Sequence, residues 1–351
     1  MNRKEDIRWM RRALRLAGRG LGTTTPNPMV GAVIVRDGTV LGEGWHVRAG
    51  EPHAEINAIR SAAGNDLSGA SMYVTLEPCS SYGRTPPCTE AIIREKISRV
   101  VIGCFDPNPK HAGRCVPILE SHGISVVGPV FEAECKRRNE AFFRWITAGK
   151  PFVLLKLAET LDGRIATENG CSQWITGEAA RKHVQELRQW ADAVMAGGET
   201  YRMDAPRFTV RNSRGETLKT PRRIVVTRNP AKLEPHPAGW EFVSLENPAD
   251  WIAYLERLGR EQVTSLLVEG GGELAASALR AGVVDKVEFH IAPKILGGRN
   301  SRPSVGGENP ASLSEALELE QVEVRRLGRD ILVCGRLPEH DRERQNGCLP
   351  V

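Results

Sequence analysis

The sequence predicts two α/β domains in series, and three observations predict them. A β-hairpin centred on residue 37 is followed by strands alternating with helices up to about residue 130, the pattern of a sheet covered by helices. The alternation then restarts after Gly149 and Pro151, a helix stop followed by a residue that cannot continue a helix. Finally, 351 residues exceed what one hydrophobic core usually serves. The expected division is 1–148, 149–338 and a short polar tail, 339–351, that would fray.

Residues 7–17 read as a helix with Ile7, Met10, Leu14 and Ala17 on one face. Asp37-Gly38 suits a tight type I′ turn between two β-rich runs in 31–44. A helix follows from His53 to Gly64, a strand over 71–77 and a helix opening at Cys88. Strands over 99–105 and 124–130, and a helix ending near Ala148, complete the first half. In the second half, strands are expected over 152–158, 192–198, 222–227, 264–272 and 286–293. Helices are expected over 178–190, 249–259 and 273–282, with a closing hairpin over 320–337.

Hydrophobic content of 40% with 26% charged residues is ordinary for a soluble globular protein. The N-terminal residues lack the apolar stretch of a signal peptide, and no run is long enough to span a membrane. A cytoplasmic protein is expected. The net charge of +5 comes from basic residues interleaved with acids. That pattern does not indicate nucleic-acid binding and equally suits a small anionic substrate. Eight cysteines are too few for a disulfide framework, so thiols, packing or metal ligation are expected.

Three short pieces carry the chemistry: His53-Ala54-Glu55 at a helix start, Pro78-Cys79 just past a strand, and Cys88 at the next helix start. Strand ends and helix starts on one edge of an α/β sheet face a common crevice. One imidazole and two thiols meeting there would give zinc three protein ligands and leave its fourth position for water, the arrangement of a catalytic site. Two thiolates neutralise the ion and acidify its water less than three histidines would. Glu55, two residues past His53, is then needed to take and pass protons. A purely structural site would want a fourth ligand, for which Cys104 and Cys115 are available.

At these residues the chain resembles the cytidine-deaminase-like zinc hydrolases. Their common signature has two residues between its cysteines; here eight separate Cys79 from Cys88. That spacing in "PCSSYGRTPPC", with "TPNPMVGAVIV" upstream, resembles one branch, the pyrimidine deaminases of riboflavin synthesis, often fused to a C-terminal reductase. The resemblance implies His53, Cys79 and Cys88 as zinc ligands, Glu55 as proton shuttle and Asn27 as a substrate contact.

In the second half, "LLVEGGGELAASAL" is strand, glycine loop and helix, a pattern that lets backbone approach a phosphate at a helix start but also serves simple turns. By resemblance this half is a dihydrofolate-reductase-like domain using NADPH. Ala158, Trp174, Thr200, Asp204 and the run Gly271, Gly272, Glu273, Leu274, Ala275, Ala276, Ser277 would line the cofactor site. Ser172, Arg188, Phe208, Arg211 and Glu269 would contact substrate, and Lys156 is a further candidate. The family usually has a second acid where this chain has Ala205.

The resemblance implies two reactions. Zinc-hydroxide would deaminate 2,5-diamino-6-(5-phosphoribosylamino)pyrimidin-4(3H)-one at C2. NADPH would then reduce the ribosyl group, giving 5-amino-6-(5-phosphoribitylamino)uracil. No nucleic-acid or membrane partner is expected, and such domains often pair as homo-oligomers. An RNA-editing deaminase would need a short cysteine spacing and a basic aromatic stripe. A zinc-stabilised scaffold would have no use for Glu55.

Overall fold

The computed structural model describes residues 3–82, 86–108, 111–212, 214–230 and 237–338; the tail expected over 339–351 lies outside them. The chain divides into two compact units, Met1–Gly149 and Lys150–Val351. Among the described residues no helix is long and apolar enough to cross a membrane.

The first unit contains α1 (Arg3–Ala17), β1 (Gly31–Arg36), β2 (Thr39–Trp45), α2 (Ala54–Ser61), β3 (Ser71–Val74) and α3 (Cys88–Arg94). After these come β4 (Arg99–Ile102), α4 (Cys115–Ser121), β5 (Ser125–Val127), α5 (Glu132–Arg138) and α6 (Glu140–Ala148). The sheet order is β2-β1-β3-β4-β5. β1 is antiparallel to β2 and β3, while β3, β4 and β5 run parallel. Asp37 and Gly38 both have positive φ, 50° and 74°, as the tight hairpin turn requires. Strand alternation splits the core in two. Ala32 and Ile34 face α2, α3 and α4, whereas Val33 and Val35 face α1 and α6. Three layers result.

The α1 face differs from the expected one. Asp6, Trp9, Met10, Ala13, Leu16 and Ala17 are buried, while Ile7 and Leu14 are only half-buried. The helix is turned toward Asp6 because Arg99 on β4 takes that carboxylate in a two-pronged pair of 2.9 and 2.8 Å, and Tyr73 Oη donates to it at 3.1 Å. A buried carboxylate with such partners is tolerated inside. Helix α2 lies flat on β2 because Gly44 has no side chain; a Cβ there would stand 2.3 Å from the Ala58 nitrogen. This contact fixes where α2 begins, and hence where His53 sits.

The second unit opens with β6 (Phe152–Thr160), β7 (Arg164–Ala166), α7 (Glu178–Trp190), β8 (Ala193–Gly197) and α8 (Gly198–Asp204). It continues with β9 (Val210–Arg211), β10 (Thr217–Lys219), β11 (Arg222–Val226), β12 (Trp240–Val243), α9 (Pro248–Arg260) and β13 (Ser265–Glu269). It ends with α10 (Gly272–Arg280), β14 (Lys286–Ala292), β15 (Arg302–Pro303), β16 (Glu320–Leu327) and β17 (Asp330–Arg336). Eight strands form one sheet in the order β12-β11-β8-β13-β6-β14-β17-β16. The first six run parallel and the last two are antiparallel additions.

One face of this sheet, with Val153, Leu155, Leu157 and Val268, packs on α9 and α10 around Trp251. Helix α9 starts where Asn247 and Asp250 cap each other reciprocally and Pro248 takes the first turn. The alternate positions Lys156, Glu269 and Glu288 are neighbours in register across β13, β6 and β14. They lie on the face covered by α7, whose Arg188 and His183 reach them. The sheet is therefore apolar toward α9 and α10 and charged toward α7.

Candidate functional site

In the first unit His53 is the N-cap residue of α2, with extended backbone. Cys79 follows β3, and Cys88 is the first residue of α3, after Pro87. His53 Nδ1 lies 3.5 Å from Cys79 Sγ and 3.4 Å from Cys88 Sγ. The three ligand atoms lie within 4.8 Å of one another. With zinc bonds of about 2.0 Å to nitrogen and about 2.3 Å to sulfur, a tetrahedral site needs ligand separations of roughly 3.5 Å. The donor set and its spacing fit Zn²⁺. The Cys88 backbone N–H donates to Cys79 Sγ at 3.2 Å, a bond that favours a thiolate.

The electrostatics agree. Hydrogen bonding with Cys88 and with His53 holds the Cys79 thiol well below its ordinary value, to about 4. The Cys79 hydrogen bond also favours a proton on His53; a cation between them takes that proton's place. Glu55, on the first turn of α2, is 3% exposed, and burial pushes its carboxyl up to about 7 against the pull of His53. Its side chain also engages Cys88.

No fourth protein ligand joins them among the described residues. Cys104 is buried in the α1-side core, its thiol 3.4 Å from the Thr75 carbonyl. Cys115 opens α4, where its backbone N–H donates to Glu77 at 3.1 Å. Glu77 also accepts from Asp106 and Gly113, so it organises that whole turn.

Asn27 reaches the site through a residue that sequence reasoning missed, His46. Asn27 Nδ2 is 3.1 Å from His46 Nε2, and His46 Nδ1 is 3.2 Å from the Pro52 carbonyl. Burial lowers the His46 pKa, so a neutral ring donates to Pro52 and accepts from Asn27. The ring meets His53 edge-on at 5.5 Å. The one available signal was a histidine directly after the strand run ending at Trp45.

In the second unit a cleft of about 1640 Å³ opens on the α7 side, ample for a dinucleotide beside a second ligand. Ala158, Trp174, Thr200, Asp204, Gly271, Gly272, Glu273, Leu274, Ala276 and Ser277 line it, as do Ser172, Arg188, Phe208, Arg211, Glu269 and Lys156. Ala275 does not. It is fully buried in the core behind α10, because helix geometry turns that position toward the sheet.

The glycine loop fits a phosphate. Gly270 and Gly271 have φ of 79° and 76°, and α10 begins at Gly272 with no side-chain cap. A Cβ on Gly272 would collide with the Pro303 carbonyl at 2.5 Å. Thr200 stands beside the loop. Ser172 Oγ donates to Asp204 at 3.1 Å. Trp174 is 65% exposed, so it is not a packing residue; the Arg181 guanidinium lies 5.0 Å from its ring. Phe208 is buried in the cleft wall against Trp240, with Arg188 5.5 Å from its ring.

Arg188 and Glu269 are not separate contacts. The Arg188 Nε and Nη2 donate to the two Glu269 oxygens at 2.6 and 2.9 Å. Burial alone would raise the Glu269 carboxyl, but Arg188 holds it below its ordinary value. Lys156 next to them is lowered by burial, with Glu269 opposing.

Comparison with known proteins covers both units. Residues 3–104 match the cytidine and deoxycytidylate deaminase zinc-binding region, and residues 151–333 match the RibD C-terminal domain. The riboflavin biosynthesis protein RibD of Escherichia coli is 38% identical over 93% of this chain and 98% of its own. That of Synechocystis is 40% identical over 97% and 99%. A Thermotoga maritima structure, described as a diaminohydroxyphosphoribosylaminopyrimidine deaminase/5-amino-6-(5-phosphoribosylamino)uracil reductase, superposes with a TM-score of 0.85 at 36% identity, covering 96% of this chain and 99% of that one. With both halves matched in the same order and nearly end to end, the chain belongs to the RibD family of riboflavin biosynthesis proteins.

Proposed function

We propose that the chain is a bifunctional enzyme of riboflavin biosynthesis whose two units each carry one reaction. The first removes the 2-amino group of 2,5-diamino-6-(5-phosphoribosylamino)pyrimidin-4(3H)-one. The second reduces the ribosyl group of the deaminated product to ribityl. The observation that carries the reading is the meeting of His53, Cys79 and Cys88 beside the buried acid Glu55.

In the deaminase, His53, Cys79 and Cys88 would hold the zinc, which would supply Lewis acidity to activate a water toward C2. Glu55 takes a proton from that water and returns it to the departing amine. Burial raises the Glu55 carboxyl, the direction that suits a group that must both take and give a proton. Asn27, oriented by His46, holds the pyrimidine.

In the reductase, NADPH when bound supplies the hydride for C1′ of the ribosyl group. Gly271, Gly272 and the start of α10 would receive its phosphates, with Thr200 beside the loop and Asp204 also lining the cleft. Asp204 fixes the Ser172 hydroxyl for substrate. Arg211 and Arg207, on the cleft wall, are placed for the substrate phosphate, while Glu269 holds Arg188 in a set orientation.

The edge strand β16 exposes Val322 and Val324, which favours pairing of the chain into a homo-oligomer. A cytoplasmic enzyme acting on a phosphorylated ribosylaminopyrimidine, without nucleic-acid or membrane partners, fits the interleaved charge. The test is two assays on one purified sample. Ammonia release from the diaminopyrimidine and substrate-dependent NADPH oxidation are both expected. Adenosine deamination in RNA without either would overturn the reading.

A further inference from the structure

Helix α7 and strand β14 bring together three side chains that neither reaction uses. His183 projects from α7; Glu288 and His290, two residues apart, share one face of β14. His183 Nε2 lies 3.0 Å from Glu288 Oε2, and His290 Nε2 lies 3.5 Å from the same oxygen. One ligand atom from each of the three lies within 4.8 Å of the others.

Burial separates this cluster from a surface charge pair. His290 is 0% exposed, yet among the described residues neither ring nitrogen has a well-formed hydrogen bond; Nε2 only approaches Glu288 at 3.5 Å and Nδ1 has no partner. Buried polar groups are normally satisfied, so an orphaned imidazole aimed at a carboxylate points to an absent partner. Two imidazoles and one carboxylate are a donor set used by zinc enzymes, and bonds of about 2.0–2.2 Å place such ligands roughly 3.3 Å apart. The far nitrogen of His183 is already oriented. Its Nδ1 lies 3.1 Å from Glu186 Oε2, the carboxylate behind a histidine that commonly fixes a metal-binding tautomer. Lys156, beside Glu288 in register, Lys286 on β14 and Arg325 on β16 are the described cations that act on the cluster; Glu186 and Glu288 lie among them.

We propose that His183, Glu288 and His290 form a second metal site, taking one divalent transition-metal ion of the zinc class and pinning α7 to β14. The ion replaces the proton shared by His183 and Glu288 and satisfies His290 Nε2. The proposal is independent of the first-unit zinc and of the reductase reading.

The test is metal stoichiometry on the full chain. Protein is equilibrated with buffered Zn²⁺ at micromolar free concentration, desalted, and assayed for zinc per chain. The expected ratio is two. The double variant His183→Gln/Glu288→Gln should bind one, and Cys79→Ser/Cys88→Ser should also bind one, each having lost a different ion. Glu186→Gln should weaken the second ion about 10–100-fold. With Co²⁺, the first equivalent to thiolates gives sulfur charge-transfer absorption, and the second should add only ligand-field bands. A wild-type ratio of one whose Co²⁺ spectrum carries the thiolate charge-transfer band, a Cys79→Ser/Cys88→Ser variant that binds none, or a His183/Glu288 variant whose ratio equals the parent's, overturns the proposal. Should a variant not fold, the wild-type ratio and cobalt spectrum alone decide.

Discussion

Replacing Glu55 with Gln separates proton transfer from everything else the first unit does. Gln has nearly the same volume, so the core around α2 stays filled at a position only 3% exposed. It leaves His53, Cys79 and Cys88 untouched, so zinc content should not change. Its side chain can still accept a hydrogen bond near Cys88 but cannot carry a proton from water to amine. General acid–base catalysis is worth about 10²–10⁴-fold. The loss should fall near the upper end, because bulk water has little access to a buried position to stand in for the carboxylate. At about 10⁴-fold the barrier rises by roughly 5 kcal/mol. Ammonia release measured at saturating diaminopyrimidine reads this directly, with metal analysis on the same sample. NADPH oxidation with already deaminated substrate should stay within twofold of the parent, which controls for folding. Turnover above about a tenth of the parent with full zinc would refute the reasoning and move the proton shuttle to another group.

Other perturbations test the frame around the two sites. Asp6→Ala strands the Arg99 guanidinium in a buried pair, whose side chains are 17% and 8% exposed, and should cost about 3–5 kcal/mol in urea unfolding of the first unit. Glu269→Gln should flatten the acid limb of stability in the second unit. The folded Glu269 carboxyl lies below its ordinary value, so its contribution is complete above about pH 4.5 and is lost as pH falls through the folded value. Urea melts from about pH 3 to pH 7 should show that loss in the parent and not in the variant. Ala205 ends α8 with φ of 41°, a left-handed conformation that Gly adopts without strain. Ala205→Gly should stabilise the second unit by about 1 kcal/mol in a thermal melt; a destabilised variant would show that no strain resides there.

Local chemistry is what the sequence made legible. Asp37-Gly38 declares its hairpin because both residues accept positive φ. The approach of His53, Cys79 and Cys88 is readable because each stands at the end of an element whose position in an α/β layer is constrained. The α8 helix, β12 and the short β9-β10 pair are not readable, because they are too brief to show a period. The α1 face escaped because it depends on Arg99, far along the chain, taking Asp6 inside. His46 and the His183–Glu288–His290 cluster escaped for the same reason. Which helix covers which strands decides whether two histidines meet, and that is a tertiary fact.

The Arg188–Glu269 pair shows how such a fact changes chemistry as well as packing. Read along the chain, the two are separate substrate contacts that the resemblance implies. In the fold, two guanidinium donors and both carboxylate oxygens are spent on each other. A guanidinium clamped in this way cannot swing to follow a phosphate, so only its remaining donors, at a fixed angle, face the cleft. The clamp also keeps Glu269 ionised in a buried place beside Lys156, whose own charge burial disfavours. This face of the sheet thus sets Arg188 and Lys156 against two acids, Glu269 and Glu288, held in fixed register. Charges held in this way need no reorientation when a ligand arrives. Arg211, by contrast, is exposed on the cleft wall and is not held by such a clamp.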